Sequence, residues 1–91
     1  MDPLKIITNQ TVSVSGTSAA VTNAFGNGTT IIRVVSTTDC FIKFGATPTA
    51  VAADMLLPAY VVEYFGATPG VKIAALQNTA AGTLYVTEMT K

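Results

Sequence analysis

The sequence predicts an all-β fold, a single-domain antiparallel β-sandwich or barrel of jelly-roll-like form with roughly six to eight short strands. Thr, Ala and Val dominate the chain with fifteen, thirteen and ten copies, and the β-branched Thr and Val suit a pleated surface. Several segments alternate apolar and polar residues, as strands with one solvated face do. Turn residues separate these segments at intervals of roughly 8 to 12 residues, which is typical of sandwiches and barrels.

The first strands are predicted from alternation and from one turn signal. Residues 1–10 are expected to form an N-terminal arm or edge strand, and residues 11–91 a single β-domain. Within residues 11–15 valines alternate with hydroxyl side chains, which favours a strand. A weaker strand over residues 17–25 ends at Gly26-Asn27-Gly28, where Asn-Gly favours the positive φ angles of a tight hairpin turn. We therefore expect a hairpin around this turn.

The middle of the chain predicts two core strands. Residues 30–36 are a nearly continuous β-branched run, which indicates a central strand buried on both faces except at Arg33. Residues 40–44 predict the next strand, with Phe41 and Lys43 turned outward together because side chains alternate along a strand.

The second half predicts one short helix and three strands. Residues 49–57 favour the helix, with Thr49 as N-cap, because alanine is a good helix former and Pro58 would end the helix. Three strands are predicted from β-branched and aromatic residues between turn signals: residues 60–65, 71–76 and 83–88. The last two of these strands are expected to form a hairpin at the end of the chain.

The pentapeptide Phe-Gly-Ala-Thr-Pro occurs twice, at residues 44–48 and 65–69. Two copies are too few for a solenoid, and the sequences diverge directly after them. Gly gives a turn its freedom and Pro ends a strand ladder. We interpret both copies as turns at strand ends and not as an internal duplication.

Charged residues are scarce and dispersed. They make up 11% of the chain, against about 25% in an average protein. Five basic and five acidic residues balance to a net charge of zero, and the basic residues form no stripe that would bind a phosphate backbone. The longest apolar stretch, residues 55–62, is shorter than the ~20 residues that span a bilayer. We expect neither a nucleic-acid partner nor a membrane partner.

The residue inventory argues against an enzyme. The chain has no histidine, so the usual general base and imidazole ligands are missing. Cys40 is the only cysteine and is interpreted as a small core hydrophobe. Glu63 and Glu88 are interpreted as solvated acids. We predict no catalytic residue, no metal site and no cofactor.

The candidate functional site is a set of residues predicted to contact a partner. Leu4, Ile6 and Ile7 of the arm and the aromatic pair Tyr60 and Tyr64 are predicted to contact a partner, because interface anchors tend to be aliphatic or aromatic. Ordinary core packing is the competing interpretation for each of them. An exterior with few charges loses little solvation when buried, which favours a subunit of an assembly.

From Ile31 onward the sequence resembles small bacteriophage and prophage proteins, over about two thirds of the chain. The residues that carry the resemblance are Arg33-Val34-Val35, Thr38-Asp39-Cys40, Phe44-Gly45, Pro48-Thr49-Ala50, Leu57-Pro58-Ala59, Glu63-Tyr64-Phe65, Pro69-Gly70, Lys72-Ile73-Ala74, Ala81-Gly82-Thr83-Leu84 and Val86-Thr87-Glu88.

The resemblance implies a structural component of the virion, most similar to a capsid decoration or cement protein. Such a protein would bind the outside of the head as a dimer or trimer and would tie neighbouring copies of the major capsid protein together. It would be assembled in the cytoplasm of the bacterial host and reside on the capsid surface. A tail, neck or fibre-base structural protein and a small carbohydrate-binding β-module are the alternative functions.

Overall fold

Eight strands account for the regular structure of residues 4–91, the part of the chain that the computed structural model describes. No helix occurs in these residues, so the predicted all-β class is confirmed. The strands are β1 (Lys5–Val14), β2 (Ala19–Ala20), β3 (Ile31–Ser36), β4 (Cys40–Gly45), β5 (Met55–Leu57), β6 (Glu63–Gly66), β7 (Lys72–Gln77) and β8 (Gly82–Thr90).

The strands form two four-stranded antiparallel sheets. The order is β1-β8-β3-β6 in the first sheet and β2-β7-β4-β5 in the second. Every connection crosses from one sheet to the other except the one between β4 and β5. Eight antiparallel strands wound between two sheets in this order form a jelly roll, as predicted.

The core lies between the sheets and follows from alternation along each strand. In β3, Ile32 and Val34 are fully buried, while Arg33 and the residues on its face are partly exposed. Burial of each such aliphatic side chain contributes about 1.5–3 kcal/mol. The prediction that β3 is buried on both faces is wrong, because no second layer covers the outer face of the first sheet within residues 4–91. In β4 the prediction is confirmed, since Phe41 is only half-buried and Lys43 is exposed.

Both predicted hairpins are wrong. Thr29 N–H donates to Gly26 O at 3.1 Å, so a turn does form at residues 26–29. However, the strands before and after it, β2 and β3, belong to different sheets. The same holds for β7 and β8. Alternation of apolar and polar residues along a strand specifies which face each side chain occupies, but it does not specify which sheet the strand joins.

The predicted helix over residues 49–57 is also wrong. Residues 46–54 are a loop, and the strand β5 follows it and pairs with β4. One reciprocal turn is present, in which Asp54 Oδ2 accepts Val51 N–H at 2.8 Å and Asp54 N–H donates to Val51 O at 3.0 Å. Ala50 is buried, and its N–H donates to Ser18 Oγ at 2.8 Å, which fastens the loop beside β2. Tertiary contacts therefore override the helix propensity of the alanines.

The two Phe-Gly-Ala-Thr-Pro segments meet at one end of the sandwich. One segment ends β4 of the second sheet, and the other ends β6 of the first sheet, which confirms their interpretation as turns at strand ends. The ring centroids of Phe44 and Phe65 lie 5.1 Å apart with an interplanar angle of 58°. Phe25 lies 6.3 Å from Phe44, so three aromatic rings close this end of the core.

Gly82, the first residue of β8, lies where a side chain would not fit. A Cβ atom on Gly82 would lie 2.6 Å from Thr37 Oγ1 and 2.7 Å from Thr38 Cγ2. These atoms are held in place, because Thr37 Oγ1 accepts Thr83 N–H and Thr38 Oγ1 donates to Ala80 O.

We predict that Gly82→Ala lowers the free energy of unfolding by about 1–3 kcal/mol, because the added methyl group overpacks this turn. Urea denaturation followed by circular dichroism measures the change. Gly66→Ala is the matched control, since no atom lies within 4 Å of the Cβ that it would add. Equal destabilisation by the two substitutions would contradict the steric explanation.

Candidate interaction surface

Exposed apolar side chains concentrate at one edge of the sandwich. Among residues 4–91 ten large apolar residues are exposed, and seven of them fall within residues 51–64. Six of these seven lie on β5, on β6 or on the segment that joins them, and we call these six the β5–β6 rim: Met55, Leu56, Tyr60, Val61, Val62 and Tyr64. Large apolar residues exposed together at one edge are typical of an interaction surface.

The order of the strands explains why these residues lie together. β5 is the last strand of the second sheet and β6 is the last strand of the first sheet. Residues 58–62 connect the two strands directly, so both lie at the same edge of the sandwich. Each strand has a hydrogen-bonded neighbour on one side only, and both are short, as edge strands usually are.

Tyr60 is the most exposed large apolar residue of the rim and has an unusual backbone conformation. Its side chain is 74% exposed, and its φ angle is +59°. This left-handed conformation disfavours any residue with a Cβ atom and is an outlier for a bulky one. The predicted strand over residues 60–65 is therefore wrong in its first half, because β6 begins only at Glu63.

Hydrogen bonds hold the turn that carries Tyr60. Tyr60 N–H donates to Ser36 O at 2.8 Å, and Ala59 N–H donates to Asp39 Oδ1 at 2.7 Å. Val61 N–H donates to Pro58 O at 3.3 Å. The turn is thus attached to the end of β3 and to the residue before β4. These hydrogen bonds hold the backbone of the turn from which the exposed Tyr60 ring projects.

The predicted contact residues separate into two groups. Tyr60 and Tyr64 both lie on the rim, and Tyr64 is 54% exposed. Ile6 and Ile7 are also exposed, but they lie on β1 at the opposite edge of the first sheet, beside a β-bulge. Leu4 is half-buried directly before β1.

These two groups do not form one surface. β8 and β3 separate β1 from β6, which corresponds to three strand spacings, or roughly 14 Å. β1 pairs with β8 from Lys5 to Val14, so one paired edge strand runs across the predicted boundary between residues 10 and 11.

A second surface feature lies on the outer face of the first sheet. It is a depression of about 410 Å³. The register places Asn9, Thr87, Arg33 and Tyr64 in one row across the four strands. Tyr85 lies in the adjacent row and is 49% exposed. Sequence analysis missed this site, although Arg33 is the only charged residue in the run of residues 30–36 and indicates that one face of β3 is solvated.

The described residues contain few groups with reactive chemistry. Within residues 4–91 no three His, Cys, Asp or Glu side chains lie close enough together to bind a metal ion. Burial raises the pKa of the Cys40 thiol, and a hydrogen bond with Ser36 partly opposes this shift. The thiol is therefore protonated at neutral pH and is a poor nucleophile. In the same residues no helix has the length and hydrophobicity needed to cross a membrane.

No protein-family model, curated protein or solved structure matches this chain.

Proposed function

We propose that the protein is a structural component of a bacteriophage particle, a capsid decoration or cement protein. It binds the outer surface of the head through the β5–β6 rim and stabilises the lattice of the major capsid protein. The observation that carries this proposal is Tyr60, a bulky residue held at positive φ with its ring in solvent. Strain in a residue that contributes little to the core points to a binding role.

The chemistry of the rim suits burial against a protein. Aromatic residues and Met are enriched at the centres of interfaces, where charged residues are depleted. The rim offers two tyrosines, Met55, Leu56 and two valines. Glu63, half-buried on β6, is the one charged residue among residues 55–64. Covering the rim therefore leaves few charges without solvent.

The resemblance to phage proteins supports placing this surface on a virion, and jelly rolls are common in viral capsids. The second argument is an analogy at the level of the fold. On a lattice, each copy of the protein meets many equivalent sites. Dimers or trimers that present two or three rims would bind with an avidity that exceeds the affinity of one rim.

The direct test is binding to purified particles. Empty heads and isolated tails of the phage that encodes the chain are mixed with the protein and sedimented, and the bound protein is quantified. We expect saturable binding to heads and raised thermal stability of the decorated heads. Binding to tails or necks alone would overturn the decoration role in favour of a tail or neck protein. Light scattering of the free protein at two concentrations separates a preformed dimer or trimer from a monomer.

Aspartate substitutions at the two edges determine which edge makes the contact. We predict that Val62→Asp on the rim lowers head occupancy at least tenfold, about 1.4 kcal/mol, because it places a charge in an apolar interface. Ile7→Asp on β1 is the matched control and should leave occupancy unchanged. Occupancy is measured by sedimentation, and circular dichroism checks the fold of both variants. If only Ile7→Asp abolished binding, the contact would lie at the β1 edge.

A further inference from the structure

The depression on the outer face of the first sheet lies on its central strands. β8 and β3 have hydrogen-bonded neighbours on both sides, so their backbones offer no edge for an added strand. A ligand here would meet side chains only. Six side chains point outward around the depression: Asn9, Thr11, Arg33, Val35, Tyr85 and Thr87.

Arg33 places a positive charge on this face, and no acidic side chain of the face balances it. Within the described residues, no Asp or Glu occupies an outward position of β1, β8, β3 or β6. The guanidinium group presents N–H donors in a planar fork that matches a carboxylate in two parallel hydrogen bonds. The face is therefore complementary to a ligand that carries a carboxylate.

The neighbours of Arg33 add groups that suit a sugar ring. Tyr85 is half-exposed in the next row, where its ring can stack against an apolar ligand face. Thr87 Oγ1 donates to Asn9 Oδ1 at 2.8 Å, which leaves the amide N–H groups of Asn9 available to ligand oxygens. The volume of about 410 Å³ falls within the range of about 300–1,000 Å³ that is usual for small-ligand sites.

We propose that this depression binds an acidic saccharide, with Arg33 holding the carboxylate of a uronic acid and Tyr85 stacking on the pyranose ring. Asn9 donates to the ring hydroxyls. None of these three residues belongs to the β5–β6 rim, but Arg33 pairs directly with the rim residue Tyr64 across β3 and β6. The proposal is therefore tested on the free protein, without heads.

Nitrogen-15 NMR titration tests the proposal with a tetrasaccharide of alternating glucuronic acid and N-acetylglucosamine. We expect saturable shifts at the six residues around the depression and binding at least tenfold weaker for the neutral tetrasaccharide of N-acetylglucosamine. Arg33→Gln, Arg33→Lys and Tyr85→Ala should each weaken binding of the acidic tetrasaccharide at least tenfold. Lys43→Gln, which removes an exposed charge from the other sheet, is the matched control.

Tyr85→Phe keeps the ring and should bind as the wild type does, so the test does not depend on the folding of Tyr85→Ala. Equal affinity for the neutral tetrasaccharide, or equal weakening by Lys43→Gln, would overturn the proposal. Tighter binding of tetraglutamate would assign the face to an acidic peptide instead. The absence of saturable shifts would show that the depression is not a saccharide site.

Discussion

Tyr60→Gly is expected to abolish most head binding while leaving the isolated protein as stable as before, or more stable by up to about 1 kcal/mol. Glycine adopts φ near +59° without the steric penalty of about 1–2 kcal/mol that a Cβ atom incurs, and its greater freedom in the unfolded chain offsets part of this gain. The same change removes the most exposed aromatic ring of the rim. Loss of an interface anchor typically weakens binding by 2 kcal/mol or more, which is roughly 30-fold.

Thermal unfolding and sedimentation with heads measure the two effects separately. Tyr85→Gly is the matched control, because it removes another exposed tyrosine, this one from a central strand. Glycine within a strand is destabilising, so this variant should lose stability and keep head binding. A Tyr60→Gly variant that still bound heads would show that the rim is not the contact surface. A less stable one would contradict the argument from backbone strain.

Local patterns in the sequence predict which side chains enter the core. Ile42 is buried where alternation along β4 places it. In β3 the continuous β-branched run does not distinguish the buried Ile32 and Val34 from the half-buried Val35. The all-β sandwich or barrel class follows from many short strands separated by turns. Local patterns do not predict which strands pair with each other, because pairing depends on contacts between residues that are far apart in the sequence. Neither Gly26-Asn27-Gly28 nor residues 77–82 specify that the chain crosses between sheets at those places.

The candidate surfaces were predictable in part. Tyr60 and Tyr64 were identified by residue type, and the structure brings both to the rim. Their separation from Ile6 follows from the sheet order, which the sequence does not reveal. The left-handed conformation of Tyr60 carries no sequence signal, since it results from hydrogen bonds to Ser36 and Asp39 in another part of the chain.

Glu88 is the residue whose environment differs most from its prediction. Sequence analysis interpreted it as a solvated acid, but only 4% of its surface is exposed. Its Oε1 accepts Gly26 N–H at 3.0 Å and the Thr29 hydroxyl at 2.6 Å. The buried carboxylate therefore attaches the crossover between β2 and β3 to the end of β8. Alternation already indicated this orientation, because Leu84, Val86 and Glu88 share one face of β8.

We predict that Glu88→Ala lowers the free energy of unfolding by about 2–3 kcal/mol, because it leaves Gly26 N–H and the Thr29 hydroxyl without their acceptor. For a domain of this size the melting temperature should fall by roughly 10–20 °C. Glu88→Gln keeps an oxygen at this position and should lose about half as much, whereas Glu63→Ala on the edge strand should lose less than about 1 kcal/mol. Calorimetry ranks the three variants. If Glu88→Gln were as destabilising as Glu88→Ala, the charge of the carboxylate would be the stabilising property. If Glu63→Ala were as destabilising as the two Glu88 variants, attachment of the crossover would not explain the lost stability.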